Sequence, residues 1–117
     1  PYTPVFFDWA FMEEDTSEEL GVRFGNIPND LDVLISHGPP RGALDLVPRG
    51  QSCGSIKLLD AIEQKQPKLV ICGHIHEGFN QGPLKDGVDF IDQTKIVNAS
   101  MLDGRYRKIR EPFIVEI

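Results

Sequence analysis

The chain has 117 residues, a size that fits one hydrophobic core and is short for two. Hydrophobic residues make up 40% and charged residues 26%, which excludes an extended coiled coil, a collagen-like repeat or a disordered tract. The net charge of −6 repels a phosphate polymer, so bulk nucleic acid is not an expected partner, and no apolar run reaches the roughly 18 residues that a membrane helix needs.

The segment 1–12 combines a Pro1-Tyr2-Thr3-Pro4 turn with Val5, Phe6, Phe7, Trp9 and Phe11, and reads as an ordered loop or a short edge strand. Residues 16–24 suit a helix, with Thr16 or Ser17 as N-cap, Glu18 and Glu19 in the first turn, and Gly25-Asn26 as the stop. The acidic run from Glu13 to Glu19 reads as a solvated helix start more readily than as a cation site. Residues 32–36 form a short apolar run without alternation, which predicts a strand covered on both faces and ended by Gly38-Pro39-Pro40.

A loop punctuated by glycine and proline spans 41–51, and Ser52 is the expected cap of a helix reaching Gln66, with Ile56, Leu59 and Ile62 at helical spacing. Residues 68–72 repeat the two-face-buried pattern, so 32–72 should make a β-α-β unit with parallel strands. Residues 80–87 read as loop and turn. Strands are then expected at 95–100 and 112–117, pairing antiparallel across the Asp103-Gly104-Arg105 turn and the basic stretch 106–110. Cys53 and Cys72 make no disulfide framework, which points to a reducing, cytoplasmic compartment. The chain starts on Pro1 and not on Met, carries no signal-peptide pattern that would explain the start, and is expected to be a piece of a longer protein.

All three histidines, His37, His74 and His76, fall just past the predicted buried strands. Ligands of open α/β sheets bind at the carboxyl ends of strands, so three imidazoles there predict a metal site where one alone would read as structural. In an extended segment His74 and His76 would face the same way, with Ile75 turned into packing. Gly73 and Gly78 would permit close backbone approach, and Pro39-Pro40 would stiffen the exit after His37.

Ser36-His37-Gly38-Pro39-Pro40 and Gly73-His74-Ile75-His76-Glu77 resemble the last two metal-ligand motifs of the calcineurin-like metallophosphoesterases. The similarity is greater to the small metallophosphoesterase-domain subgroup, through Pro1-Tyr2-Thr3-Pro4, Trp9-Ala10-Phe11, Pro67-Lys68-Leu69 and Asn98-Ala99-Ser100. The upstream D-x-H, G-D-x-x-D and G-N-H-D/E motifs of that family do not occur here. The resemblance therefore implies an α/β fold in which residues 1–117 are the C-terminal half of a four-layer α/β/β/α sandwich, with the N-terminal half as its partner. It implies two divalent metal ions, Mn, Fe or Zn, with His37 and His74 on one and His76 on the other.

The implied function is hydrolysis of a phosphate ester, a phosphodiester first and a nucleotide among the candidates. No residue of this half is assigned a catalytic proton transfer. Glu77 is a candidate to orient a ligating imidazole, Asn98 to bond substrate or backbone, and Arg41 to steady a phosphate, as is Arg49. Trp9 and Phe79 are weighed as stacking residues against a place in the core. Two other readings stay open: a non-catalytic metal-binding or interaction half-domain, and an α/β module that binds one structural zinc.

Overall fold

The computed structural model describes residues 2–107 and 109–117. Pro1 of the Pro-Tyr-Thr-Pro motif and Lys108 of the basic stretch lie outside the described residues. The chain is mixed α/β. In order it forms β1 (Thr3–Pro4), β2 (Met12–Glu13), α1 (Glu18–Gly25), β3 (Val33–Ile35), α2 (Ile56–Lys65), β4 (Leu69–Cys72), a 3₁₀ turn (His76–Asn80), β5 (Val88–Ile91) and β6 (Thr94–Asn98).

A four-stranded sheet runs in the order β3-β4-β6-β5. The first three are parallel, with Leu34 opposite Val70 and Val70 opposite Ile96, and β5 lies antiparallel on β6. The β3-α2-β4 unit is thus the expected parallel pair joined by a helix. A buried cluster of Leu58 and Ile62 from α2, Val70 and Cys72 from β4, and Ile96 from β6 forms the core, with Ala43 and Leu44 of the long loop packed into it.

Both helices start on a serine. Ser17 Oγ accepts from Leu20 N at 3.1 Å, and Ser55 Oγ accepts from Leu58 N at 3.1 Å, each satisfying one of the donors that a helix leaves open. The cap of α2 is Ser55 and not the expected Ser52, whose hydroxyl bonds the Asp45 carboxylate instead. Asp15 adds a second cap to α2: it accepts from Ile56 N at 2.8 Å and from the Ser55 hydroxyl. One member of the acidic run therefore holds a helix start distant in sequence, where the dipole favours its charge. Gln66 ends α2 in the left-handed region at φ 45°, just ahead of Pro67.

Three expectations change. β3 is not covered on both faces: it is the edge of the sheet, and Ile35 is 75% exposed. No strand forms at 112–117, and between 99 and 117 the described pairing is the single bridge Leu102 to Ile109. The antiparallel partner of β6 is β5, in the stretch after the expected turn at 85–87 for which no element is expected. A two-residue loop, Asp92-Gln93, joins them, with Asp92 at φ 50°, a conformation that aspartate adopts at lower cost than most residues. At the N-terminus the expected short edge strand is β1, paired parallel with β2. Both cysteines are free, and among the described residues no helix is long and apolar enough to cross a membrane.

Candidate functional site

The parallel pairing of β3 and β4 continues past their ends through Ser36 N to Ile71 O at 2.9 Å and Gly73 N to His37 O at 2.9 Å. Those two bonds keep the exits of the strands side by side, which brings their histidines together. His37 Nε2 and His74 Nδ1 stand 3.1 Å apart, with ring centres at 4.7 Å. The backbone at His74 is special: Gly73 O accepts from Ile75 N at 2.7 Å around a His74 with φ 64°. This is a tight three-residue turn in a region sparsely used by non-glycine residues, at a cost of about 1–3 kcal/mol. It aims the imidazole outward while Ile75, 5% exposed, goes into the core.

His76 opens the 3₁₀ turn. Its Nδ1 lies 3.1 Å from the carbonyl oxygen of Asp103, and the Tyr106 ring meets it edge-on at 5.0 Å between centres. A carbonyl only accepts, so Nδ1 carries the proton and the lone pair of the neutral ring sits on Nε2. The three histidines line one cavity of about 880 Å³, together with Phe6, Trp9, Arg41, Glu77 and Tyr106. Among the described residues, no three histidine, cysteine, aspartate or glutamate side chains form a group able to hold an ion by themselves.

Burial lowers the pKa of His74 below the ordinary histidine value, and the neighbouring His37 and His76 push the same way. At neutral pH its ring is the neutral form, which ligates cations. The Phe6 ring lies edge-on to His74 at 6.2 Å between centres.

The other candidates separate. Arg41 lies on the cavity wall; its Nη1 donates to Ser52 O at 2.9 Å, and its buried Nε has no hydrogen-bond partner among the described residues. Glu77 also lines the cavity and lies against Gly104, but the nitrogens His76 Nδ1 and His74 Nδ1 face Asp103 and His37. Asn98 is fully buried: Nδ2 donates to Ile75 O at 2.8 Å and Oδ1 accepts from Ser100 N at 3.0 Å, which ties the histidine loop to the end of β6. Gly78 is needed against Asn98 and the Leu44 carbonyl, with which a Cβ would collide, while Gly73 has ordinary space. Trp9 is exposed and lines the cavity; Phe79 stacks with Phe113 away from it. Arg49 is exposed and makes no part of the cavity wall.

Sequence reasoning passed over Asp45, Asp103 and Arg110. Asp45 is buried under the long loop, where it accepts from Gly54 N at 2.9 Å and from the Ser52 hydroxyl. An aspartate inside a stretch rich in Gly, Pro and Ser was the available signal. Arg110, 7% exposed, donates through Nη1 to Ser100 O at 2.9 Å and Leu102 O at 3.0 Å. Burial lowers its pKa, and Asp103 and Glu77 oppose that shift.

No family profile matches the sequence. Metallophosphoesterase domain-containing protein 1 of Homo sapiens is 36% identical over 119 residues, covering 100% of this chain and 34% of that relative. UPF0046 protein T07D4.2 of Caenorhabditis elegans is 34% identical over 118 residues, covering 100% of this chain and 28% of that relative. The chain belongs to the metallophosphoesterase-domain group. It spans about a third of the length of these curated relatives. A match to probable rhamnogalacturonate lyase C of Emericella nidulans, 35% over 81 residues, covers 7% of that protein, too small a share for its name to bear on this chain.

Proposed function

We propose that this member of the metallophosphoesterase-domain group is the second half of a four-layer α/β/β/α domain and supplies His37, His74 and His76 to a two-metal centre that hydrolyses a phosphate ester. The observation that carries the reading is the convergence of all three histidines on one cavity at the ends of parallel strands. Two nitrogens bonded to one ion at about 2.0–2.1 Å, at tetrahedral to octahedral angles, lie roughly 2.9–3.4 Å apart. The 3.1 Å between His37 Nε2 and His74 Nδ1 falls in that range, so the residues present fit the group.

Divalent ions bound there, of the Mn, Fe or Zn kind, would turn a water into a nucleophile at neutral pH and offset charge on the phosphoryl oxygens. The remaining ligands would come from an N-terminal half, which this chain does not contain. The chain's own residues prepare the site. Burial lowers the His74 pKa and so favours the neutral ring that ligates, and the Asp103 carbonyl accepts a hydrogen bond from His76 Nδ1–H, which leaves Nε2 as the lone-pair nitrogen of its neutral ring. Arg41 brings a guanidinium to the cavity wall, suited to a phosphate oxygen. Phe6 and Trp9 line the N-terminal side of the cavity, Phe6 with its ring edge-on to His74. A phosphodiester is the first substrate class to try, with a nucleotide among the candidates, and two free cysteines suit a reducing cytoplasm.

Under a second reading the chain is a metal-binding or interaction half without turnover: among the described residues no three side chains hold an ion by themselves, so any ion needs further ligands and its binding need not bring turnover. Elemental analysis of the full-length protein, with hydrolysis of bis(p-nitrophenyl) phosphate by wild type, His74→Ala and His76→Ala, separates the two. Turnover that falls by orders of magnitude in both variants supports the hydrolase. Unchanged turnover with normal metal content in either variant overturns the ligand assignment, and bound metal without turnover in wild type favours the second reading.

A further inference from the structure

We infer that Arg110 is the positioning residue for His76: it clamps both the loop whose carbonyl holds Nδ1 and the turn that carries the imidazole. The inference rests on the proposed role of His76 as a metal ligand.

The clamp has two jaws. On one side Nη1 donates to Ser100 O at 2.9 Å and Leu102 O at 3.0 Å, and the backbone N–H of Arg110 donates to Met101 O at 2.8 Å. Three consecutive carbonyls, 100 to 102, are thereby held just before Asp103. The Asp103 carboxylate then accepts from Arg105 N at 2.9 Å and Arg107 N at 3.0 Å, and its carbonyl from Tyr106 N at 2.9 Å, so the loop closes on itself with Tyr106 against His76. On the other side the guanidinium lies 4.1 Å from the centre of the Phe79 ring, in the same 3₁₀ turn that His76 opens.

Both ends of the His76 to Asp103 hydrogen bond are therefore referred to one buried, planar cation. Arg110 is not among the cavity-lining residues, so it acts through its neighbours. Nη1 donates to both carbonyls while the planar guanidinium lays its face on the ring, and an ammonium has no such face. Fixing the second nitrogen of a ligating histidine typically changes metal affinity 10–100-fold.

The test uses the full-length protein with Arg110→Met, which keeps an apolar stem over Phe79, and Arg110→Lys, which keeps the charge without the planar face. Two-bond proton–nitrogen correlation spectra of the metal-free protein, taken where the imidazole is neutral, report the His76 tautomer. Wild type should show Nδ1–H. Arg110→Met should show a mixture with Nε2–H, and zinc binding measured by chelator competition should weaken roughly 10–100-fold, with Arg110→Lys between the two. An unchanged His76 tautomer with unchanged zinc affinity in Arg110→Met overturns the inference. Should Arg110→Met not fold, Phe79→Leu removes one jaw and should shift the tautomer in the same direction; no shift there overturns it as well. Failure of wild type to bind zinc would count against the proposed function alone, since the tautomer comparison is made without metal.

Discussion

β3 and β4 are spelled almost alike, Val-Leu-Ile against Leu-Val-Ile-Cys, and neighbour each other in the sheet, yet their surroundings differ. β4 has β6 on its far side and α2 over its face, and Leu69, Val70 and Cys72 are buried. β3 has a partner on one side only, and no residue of it is fully buried. An apolar run thus states that a strand can be covered, while the strand order decides whether it is. The contrast carries to the site, since the histidine loop after β4 is anchored from inside by Asn98 and the loop after β3 reaches it through two backbone bonds.

The comparison breaks first at the core. Ile96→Ala, at a 0% exposed position between β4 and β5, should lower unfolding stability by about 2–5 kcal/mol in chemical denaturation. A loss well under 1 kcal/mol would mean that the β4 side is no better packed than the β3 edge. Asn98→Ala should cost about 1–3 kcal/mol, because the Ile75 carbonyl and Ser100 N–H lose their partner in a buried place. Amide exchange should speed up selectively at Ser100; an unchanged rate there would remove Asn98 as the anchor of the histidine loop.

Protonation sharpens it further. His74 has its pKa lowered by folding, so below the unfolded value near 6.5 the unfolded chain binds more protons than the native one. Stability from this group is full above that pH and declines as the pH falls through it, down to the lower folded pKa. His74→Gln should flatten that part of a stability profile taken from pH 7.5 to 5. Cys72 reports the other direction: burial pushes its thiol up to about 12 from 9.0, so the unfolded chain ionises first and stability falls as pH rises above 9. At pH 8 iodoacetamide should label the less buried Cys53 well ahead of Cys72, and equal rates would show that β4 opens readily. The smallest effect belongs to the edge, where Ile35→Ala should stay within about 0.5 kcal/mol.

Much of the site was legible because its signals are local. Strand, turn and helix alternate within residues 32–76, and the histidines sit at the strand exits. β5 was not legible, because its hairpin loop is Asp92-Gln93 without glycine, and the Lys85-Asp86-Gly87 turn before it carried the stronger punctuation. Nor was the cap of α2, where Ser52 and Ser55 are both suitable in sequence and the Asp45 carboxylate claims Ser52.

The sequence by itself determined the parallel β-α-β unit and the placement of three imidazoles beyond its strands, since periodicity, proline stops and strand exits depend on neighbours a few residues apart. Only the tertiary structure decided that β3 is an edge, that Asp15 caps a helix some 40 residues away, and that Asn98 and Arg110 hold the loops around His74 and His76. Those outcomes depend on which polar groups meet once the sheet has formed. Buried donors and acceptors must find partners wherever the packed chain brings them, and sequence spacing does not encode that meeting.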